Sequence, residues 1–169
     1  MKNVTMILLV LAVTLSMAAC GTGETKTDDD SGSSQANANM PNPFIDCETL
    51  LDAEECAGFS ISSPESFPDW VSDVKFRAVE GEMVELLYTD GGQQKLVVRK
   101  AEGNEDISGV YGTFNDCEDI TVDDLTVTLK GNDGKVNVAI WMCDDYSFSI
   151  FSVEGLERET VESMISEVH

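Results

Sequence analysis

The residues best suited to chemistry in this chain are five cysteines, one histidine and 32 aspartates or glutamates. Cys47, Cys56, Cys117 and Cys143 form no CxxC pair, and the single histidine, His169, is the last residue. A zinc site draws its ligands from clustered Cys and His, so no metal and no other cofactor is expected. Nucleophilic catalysis needs a Ser or Cys, a base and a third group that orients the base; one terminal histidine does not provide that set. Paired carboxylates cleave glycosides, but among 32 acids the closeness of any two in sequence identifies no pair. Asp28-Asp29-Asp30 lacks the alternating ligand spacing of a calcium loop and reads as a solvated run. The chain is therefore expected not to be an enzyme. The rival reading is a cell-envelope hydrolase that uses paired carboxylates.

Binding is the alternative use of polar and aromatic side chains. Trp141 falls in an alternating segment, Val136 to Met142, that sets Val136, Val138, Ile140 and Met142 on one face and Asn137, Ala139 and Trp141 on the other. If the first set is buried, Trp141 lies on the wet face, partly exposed, as a recognition platform. Arg99 and Lys100 stand out in a chain with only 10 basic residues; the plainer reading is cross-strand pairing with acids. Asp106 and Ser108 sit in the longest loop, where function concentrates, although Asp and Ser also stabilise turns by bonding their own backbone. Trp141, Arg99, Lys100, Asp106 and Ser108 form the candidate binding surface.

Cys20 carries a different chemistry. Lys2 gives a positive start and Val4 to Ala19 are almost wholly apolar, too short a run for a comfortable permanent span of about 20 residues. This is the pattern of a secretory signal peptide, here residues 1–19. Met17-Ala18-Ala19-Cys20 resembles the lipobox of bacterial lipoproteins, with Met17 in place of the usual leucine. The resemblance implies that the Cys20 sulfur receives diacylglycerol and that cleavage falls just before it. An acyl anchor of more than one chain holds stably, so the membrane is the expected partner and its extracytoplasmic face the expected location.

Residues 20–42 continue from that cysteine as an acidic and polar tether. After Cys20 no apolar residue larger than alanine appears until Met40, and such a segment buries too little surface to offset the entropy of ordering. The net charge of −22 opposes nucleic acid, whose phosphates need clustered Lys and Arg. A cell-surface protein or a small ligand remains as the domain's partner, and the expected state is a monomer. Export permits disulfides. Cys47 and Cys56 are nine residues apart and bridge only if Cys47 lies outside the helix that holds Cys56; the pairing among the four stays open.

Residues 43–169 suit one domain. Thr49 caps a helix with Asp52 three residues on, Leu50, Ala53 and Ala57 share its face, and Gly58 ends it. Strand segments follow at 74–79, 83–88, 95–100, 120–122, 125–130, 136–142 and 146–153, with turns at Glu80-Gly81-Glu82, Asp90-Gly91-Gly92, Asp123-Asp124 and 131–134. Val161, Met164, Ile165 and Val168 make one stripe of a closing helix. The expected fold is α+β: about seven antiparallel strands, with the N-terminal and C-terminal helices on one face and the other face mostly wet. Tyr146, Phe148 and Ile150 join the packed face if the preceding loop is Cys143-Asp144-Asp145. With a two-residue turn they join Trp141 outside; the three-residue loop hides more apolar surface.

Ala57-Gly58-Phe59, Val98-Arg99-Lys100-Ala101, Asp106-Ile107-Ser108-Gly109, the run Val127 to Trp141 and Tyr146-Ser147-Phe148-Ser149-Ile150 together resemble the domain of unknown function 4367. This is a family of exported lipoproteins from Gram-positive anaerobes. The resemblance covers most of residues 43–169 and implies a mixed sheet-and-helix domain, in some members fused to membrane regulators. It supplies no catalytic residue and no disulfide pairing.

Overall fold

A computed structural model describes residues 42–169. The signal peptide, Cys20 and the rest of the tether lie outside the described residues. The elements are β1 (Ile45–Cys47), α1 (Leu50–Ala57), β2 (Asp73–Val79), β3 (Met83–Asp90), β4 (Gln93–Glu102), β5 (Asp116–Val122), β6 (Leu125–Asn132), β7 (Lys135–Cys143), β8 (Tyr146–Leu156) and α2 (Arg158–Glu167). All eight strands form one antiparallel sheet in the order β1-β2-β3-β4-β8-β7-β6-β5. Two four-stranded meanders therefore meet along a single seam, β4 against β8. The eighth strand, absent from the sequence-based expectation, is β1; its three residues are too few to show alternation.

Local chemistry sets the helix ends. Thr49 Oγ1 accepts from the Asp52 amide at 3.2 Å, and the Asp52 carboxylate accepts from the Thr49 amide at 3.0 Å, which closes a capping box. Gly58 ends α1 with φ +85°, a left-handed conformation that glycine adopts without strain. Ala53 and Ala57 of α1 and Val161, Met164, Ile165 and Val168 of the C-terminal segment join one buried cluster with sheet residues Val84, Leu86, Leu96, Val98, Val127 and Leu129. The expected stripe of the closing helix is thus the buried one. The C-terminus is pinned: the Ser62 amide donates to the His169 carbonyl at 3.1 Å.

The structure corrects the face expected for Trp141. Val127 pairs with Trp141 and Leu129 with Ala139, so Ala139 and Trp141 share the packed face, and Trp141 is 2 % exposed. Val138, Ile140 and Met142 lie on the opposite face. The register shifts between Lys130 and Gly131 on β6 and between Val136 and Val138 on β7. A bulge of this kind reverses the alternation beyond it. Gly131 permits it, because a Cβ there would stand 1.8 Å from the Lys135 carbonyl oxygen. The β7–β8 connection is the two-residue turn Asp144-Asp145, with Cys143 paired to Tyr146. Tyr146, Phe148 and Ile150 do join Trp141, and they do so inside.

The second face is not wet at its centre. Residues 103–115 link β4 to the far edge strand β5, and they reach that edge by crossing this face. Arg99 on β4, Lys130 on β6 and the Asn132 side chain all bond to the crossover. Ser147 and Ser149, 0 % and 1 % exposed, present only small side chains toward this face, and Ser147 Oγ donates to the Gly103 carbonyl.

Candidate functional site

Consecutive residues of β4 point to opposite faces, and this separates the predicted site residues into two groups. Arg99 lies on the second face in a cross-strand row with Arg77 and Glu85, since Arg77 pairs with Glu85 and Glu85 with Arg99. Glu85 is fully buried, and its two oxygens divide between the guanidiniums. Oε1 accepts from Arg77 Nε at 2.7 Å, and Oε2 accepts from Arg99 Nε at 2.6 Å. Arg99 Nη1 also donates to the carbonyls of Ile107 and Ser108 at 2.9 and 2.6 Å. The Phe44 ring lies over Arg77, 4.6 Å from ring centre to guanidinium carbon, with Arg99 at 6.0 Å.

Asp106 and Ser108 belong to the same group. Asp106 Oδ1 accepts from the Ser108 amide and hydroxyl at 2.9 and 2.6 Å, while Oδ2 accepts from Lys130 at 3.1 Å. Burial alone pushes the Asp106 carboxyl up; Ser108 and Lys130 outweigh it and hold the pKa below its usual 3.8. Asp106 and Ser108 therefore make a turn stabilised by its own side chains, clamped to the sheet by Arg99 and Lys130. Gly109 fits only without a side chain: its φ is +69°, and a Cβ would meet Arg99 Nη1 at 2.8 Å. Tyr111, further along the crossover, is 98 % exposed.

Lys100 faces the packed side and bonds no carboxylate. Its Nζ donates to the Ser60 carbonyl at 2.8 Å and stands 4.5, 5.2 and 5.8 Å from the ring centres of Tyr146, Phe148 and Phe59. Burial lowers its pKa, against the weaker pull of Cys143, Glu54 and Asp144. Phe148 stacks on Trp141 at 5.3 Å and 7°, so Lys100 and Trp141 are joined through one ring. Trp141 Nε1 is buried without a hydrogen-bond partner.

Among the described residues, the four cysteines and His169 build no further site. Cys47, Cys56, Cys117 and Cys143 are all free thiols, Cys117 exposed and the others part-buried. Cys47 does lie outside α1, in β1. Among the described residues no three Cys, His, Asp or Glu converge as metal ligands, and no helix is long and apolar enough to cross a membrane. Ser62 Oγ and His169 Nε2 lie 3.1 Å apart, but no carboxylate bonds the other ring nitrogen. Glu85, Arg77, Phe44 and Tyr111 escape a reading of the sequence alone. A charged residue inside the apolar run Met83-Val84-Glu85-Leu86-Leu87 is the available signal, because a carboxylate buried there requires a cationic partner.

Neither the protein families, nor the curated proteins, nor the solved structures compared with this chain include a match.

Proposed function

We propose that this chain is a lipid-anchored extracytoplasmic protein whose domain binds or senses a cell-surface protein or small ligand and carries no catalytic activity. One observation carries the binding half of this reading. The crossover 103–115 is fixed at its base by Arg99, Asp106 and Lys130, while Tyr111 on it is 98 % exposed. A rigid base with a free aromatic is a low-entropy way to present contact area, because a tyrosine orders few rotatable bonds on binding. Met17-Ala18-Ala19-Cys20 supports the anchor, and the resemblance to an exported lipoprotein family supports the compartment. Trp141 is too deeply buried to serve as a platform. Arg99, Asp106 and Ser108 act beneath the binding surface rather than on it.

Two measurements test this reading. Mass spectrometry of the processed N-terminus is expected to find a diacylglyceryl group on Cys20, and Cys20→Ala to release or mis-process the protein; cleavage elsewhere with an unmodified thiol would sink the anchor. A photo-crosslinking amino acid at position 111 on living cells is expected to give one discrete adduct, absent when the probe is moved to Glu159 on α2. A diffuse smear from both positions would remove the crossover as the contact surface.

A further inference from the structure

Residues 42–47 differ from the rest of the sheet in how they are held. β1 is three residues long, pairs among the described residues only with β2 and leaves Ile45 48 % exposed. Asn42, Pro43, Asp46 and Glu48 are exposed as well. Its principal side-chain attachment on the second face is the Phe44 ring over Arg77 and Arg99.

On the packed face, Cys47 is the one residue of this segment that rests, half-buried, against the core among the described residues. The start of α1 is closed locally by Thr49 and Asp52, so unpairing β1 need not unwind the helix. The seat of Phe44 is equally self-contained. Arg77 is held by Glu85, and Arg99 by Glu85 and two crossover carbonyls, so both guanidiniums keep their positions without the ring. β2 also extends beyond its short neighbour, with Asp73 to Lys75 pairing, among the described residues, only on the β3 side.

We propose that residues 42–47 are a detachable strap. It opens as a unit while the rest of the domain stays folded, and its departure uncovers Arg77, Arg99 and the outer edge of β2. Local openings of this kind occur where buried apolar contacts are few and backbone bonds face solvent. Opening changes the character of this corner. In a chain of net charge −22, it presents two arginines around one carboxylate next to a free strand edge. The strap joins the tether at the point where the proposed anchor connects to the domain, so a pull along the tether acts first on β1.

Hydrogen–deuterium exchange on the full chain in mild detergent tests the strap. The amides of β1 and β2 that bond across the β1–β2 pairing are expected to exchange together, about 100-fold faster than the amides of Leu96 to Val98 of β4 that bond to its neighbours. Phe44→Ala is expected to speed only those amides further, about 10-fold, and Phe44→Leu to fall between the two. Exchange of β1 at the rate of β4 in the unmodified chain would overturn the proposal, since the strap would then leave only with global unfolding. Acceleration spread over β3 and β4 in Phe44→Ala would overturn it too. If that variant does not fold, the ratio of β1 to β4 exchange in the unmodified chain still supports or overturns the strap by itself.

Discussion

Arg99 and Lys100 are neighbours in β4 and carry the same charge, but the fold buries them by different means. Arg99 is paired, sharing Glu85 with Arg77 and donating to two carbonyls. Lys100 keeps one carbonyl and three aromatic rings. The side chains suit these roles. A guanidinium has five donors in a planar fork and bridges several oxygens at once, so it ties the crossover to the sheet. An ammonium is compact, and its long stem lets it pin the loop after α1 against β8 with little directional demand. The first arrangement holds a surface loop in place; the second closes one end of the core.

The largest expected effects test whether each group works as a unit. Glu85→Ala leaves two guanidiniums facing each other and is expected to cost about 3–5 kcal/mol in a denaturant titration. Replacing Arg77, Glu85 and Arg99 together by Met, Leu and Met removes every charge of the row but strands the Ile107 and Ser108 carbonyls, and is expected to cost less than Glu85→Ala. A triple variant as unstable as Glu85→Ala would show that the row matters for shape and not for charge. On the other side, Trp141→Ala is expected to cost about 3–5 kcal/mol. A loss below about 0.5 kcal/mol, the usual figure for exposed positions, would return Trp141 to the surface.

Lys100→Met keeps most of the stem and removes the ammonium. The lost ring contacts and the stranded Ser60 carbonyl outweigh the relief of burying no charge, for a net loss of about 1 kcal/mol at neutral pH. Its pH dependence is more diagnostic. Burial holds the folded-state pKa of Lys100 below the usual 10.5. As pH rises through the folded value toward 10.5, the folded state releases its proton first while the unfolded state still holds one. Stability therefore gains a rising component across that window. The difference between the unmodified chain and Lys100→Met, followed from pH 8 to 11, is expected to grow with pH; a flat difference would mean the amine is solvated. The smallest effect is Tyr111→Ala, within about 0.5 kcal/mol, since a side chain 98 % exposed contributes little to folding. A larger loss would place Tyr111 in the clamp with Arg99.

Much of this arrangement is legible in the sequence, and the failures have a common cause. The capping box, the glycine stop, the closing-helix stripe and seven strands all follow from local rules: caps, turns and the two side-chain periods. Asp106 and Ser108 form a side-chain-stabilised turn, and Arg99 pairs across strands with an acid, both in line with the plainer expectation for those residue types. Trp141 defeats the pattern because alternation assumes an unbroken register. Gly131 near a strand end is the available warning, since glycine in a strand often marks a bulge. Glu85 and Arg77 stay hidden because their row joins three strands, and no single segment shows it. β1 is invisible in isolation because its partner strand, rather than its own pattern, defines it.

The seam between the two meanders has a consequence for cutting and rejoining the chain. α1 goes with β1 to β4 and α2 with β5 to β8, and among the described residues β4 and β8 form the only strand pairing between the halves. The only covalent link between them is the crossover, where Gly112 is exposed and an added Cβ would meet nothing within 4 Å. A break at Gly112 leaves Arg99 with its crossover carbonyls on one fragment and the Trp141–Phe148 stack on the other. Neither fragment can cover its seam strand alone, so the two halves are expected to be insoluble apart and to re-form one domain when produced together, with the native emission of buried Trp141, read in a Trp70→Phe background, reporting the rejoining. Soluble halves that ignore each other would show that the seam is dispensable. If they rejoin, this small acidic fold becomes a two-piece reporter, active only where both pieces are brought to the same place.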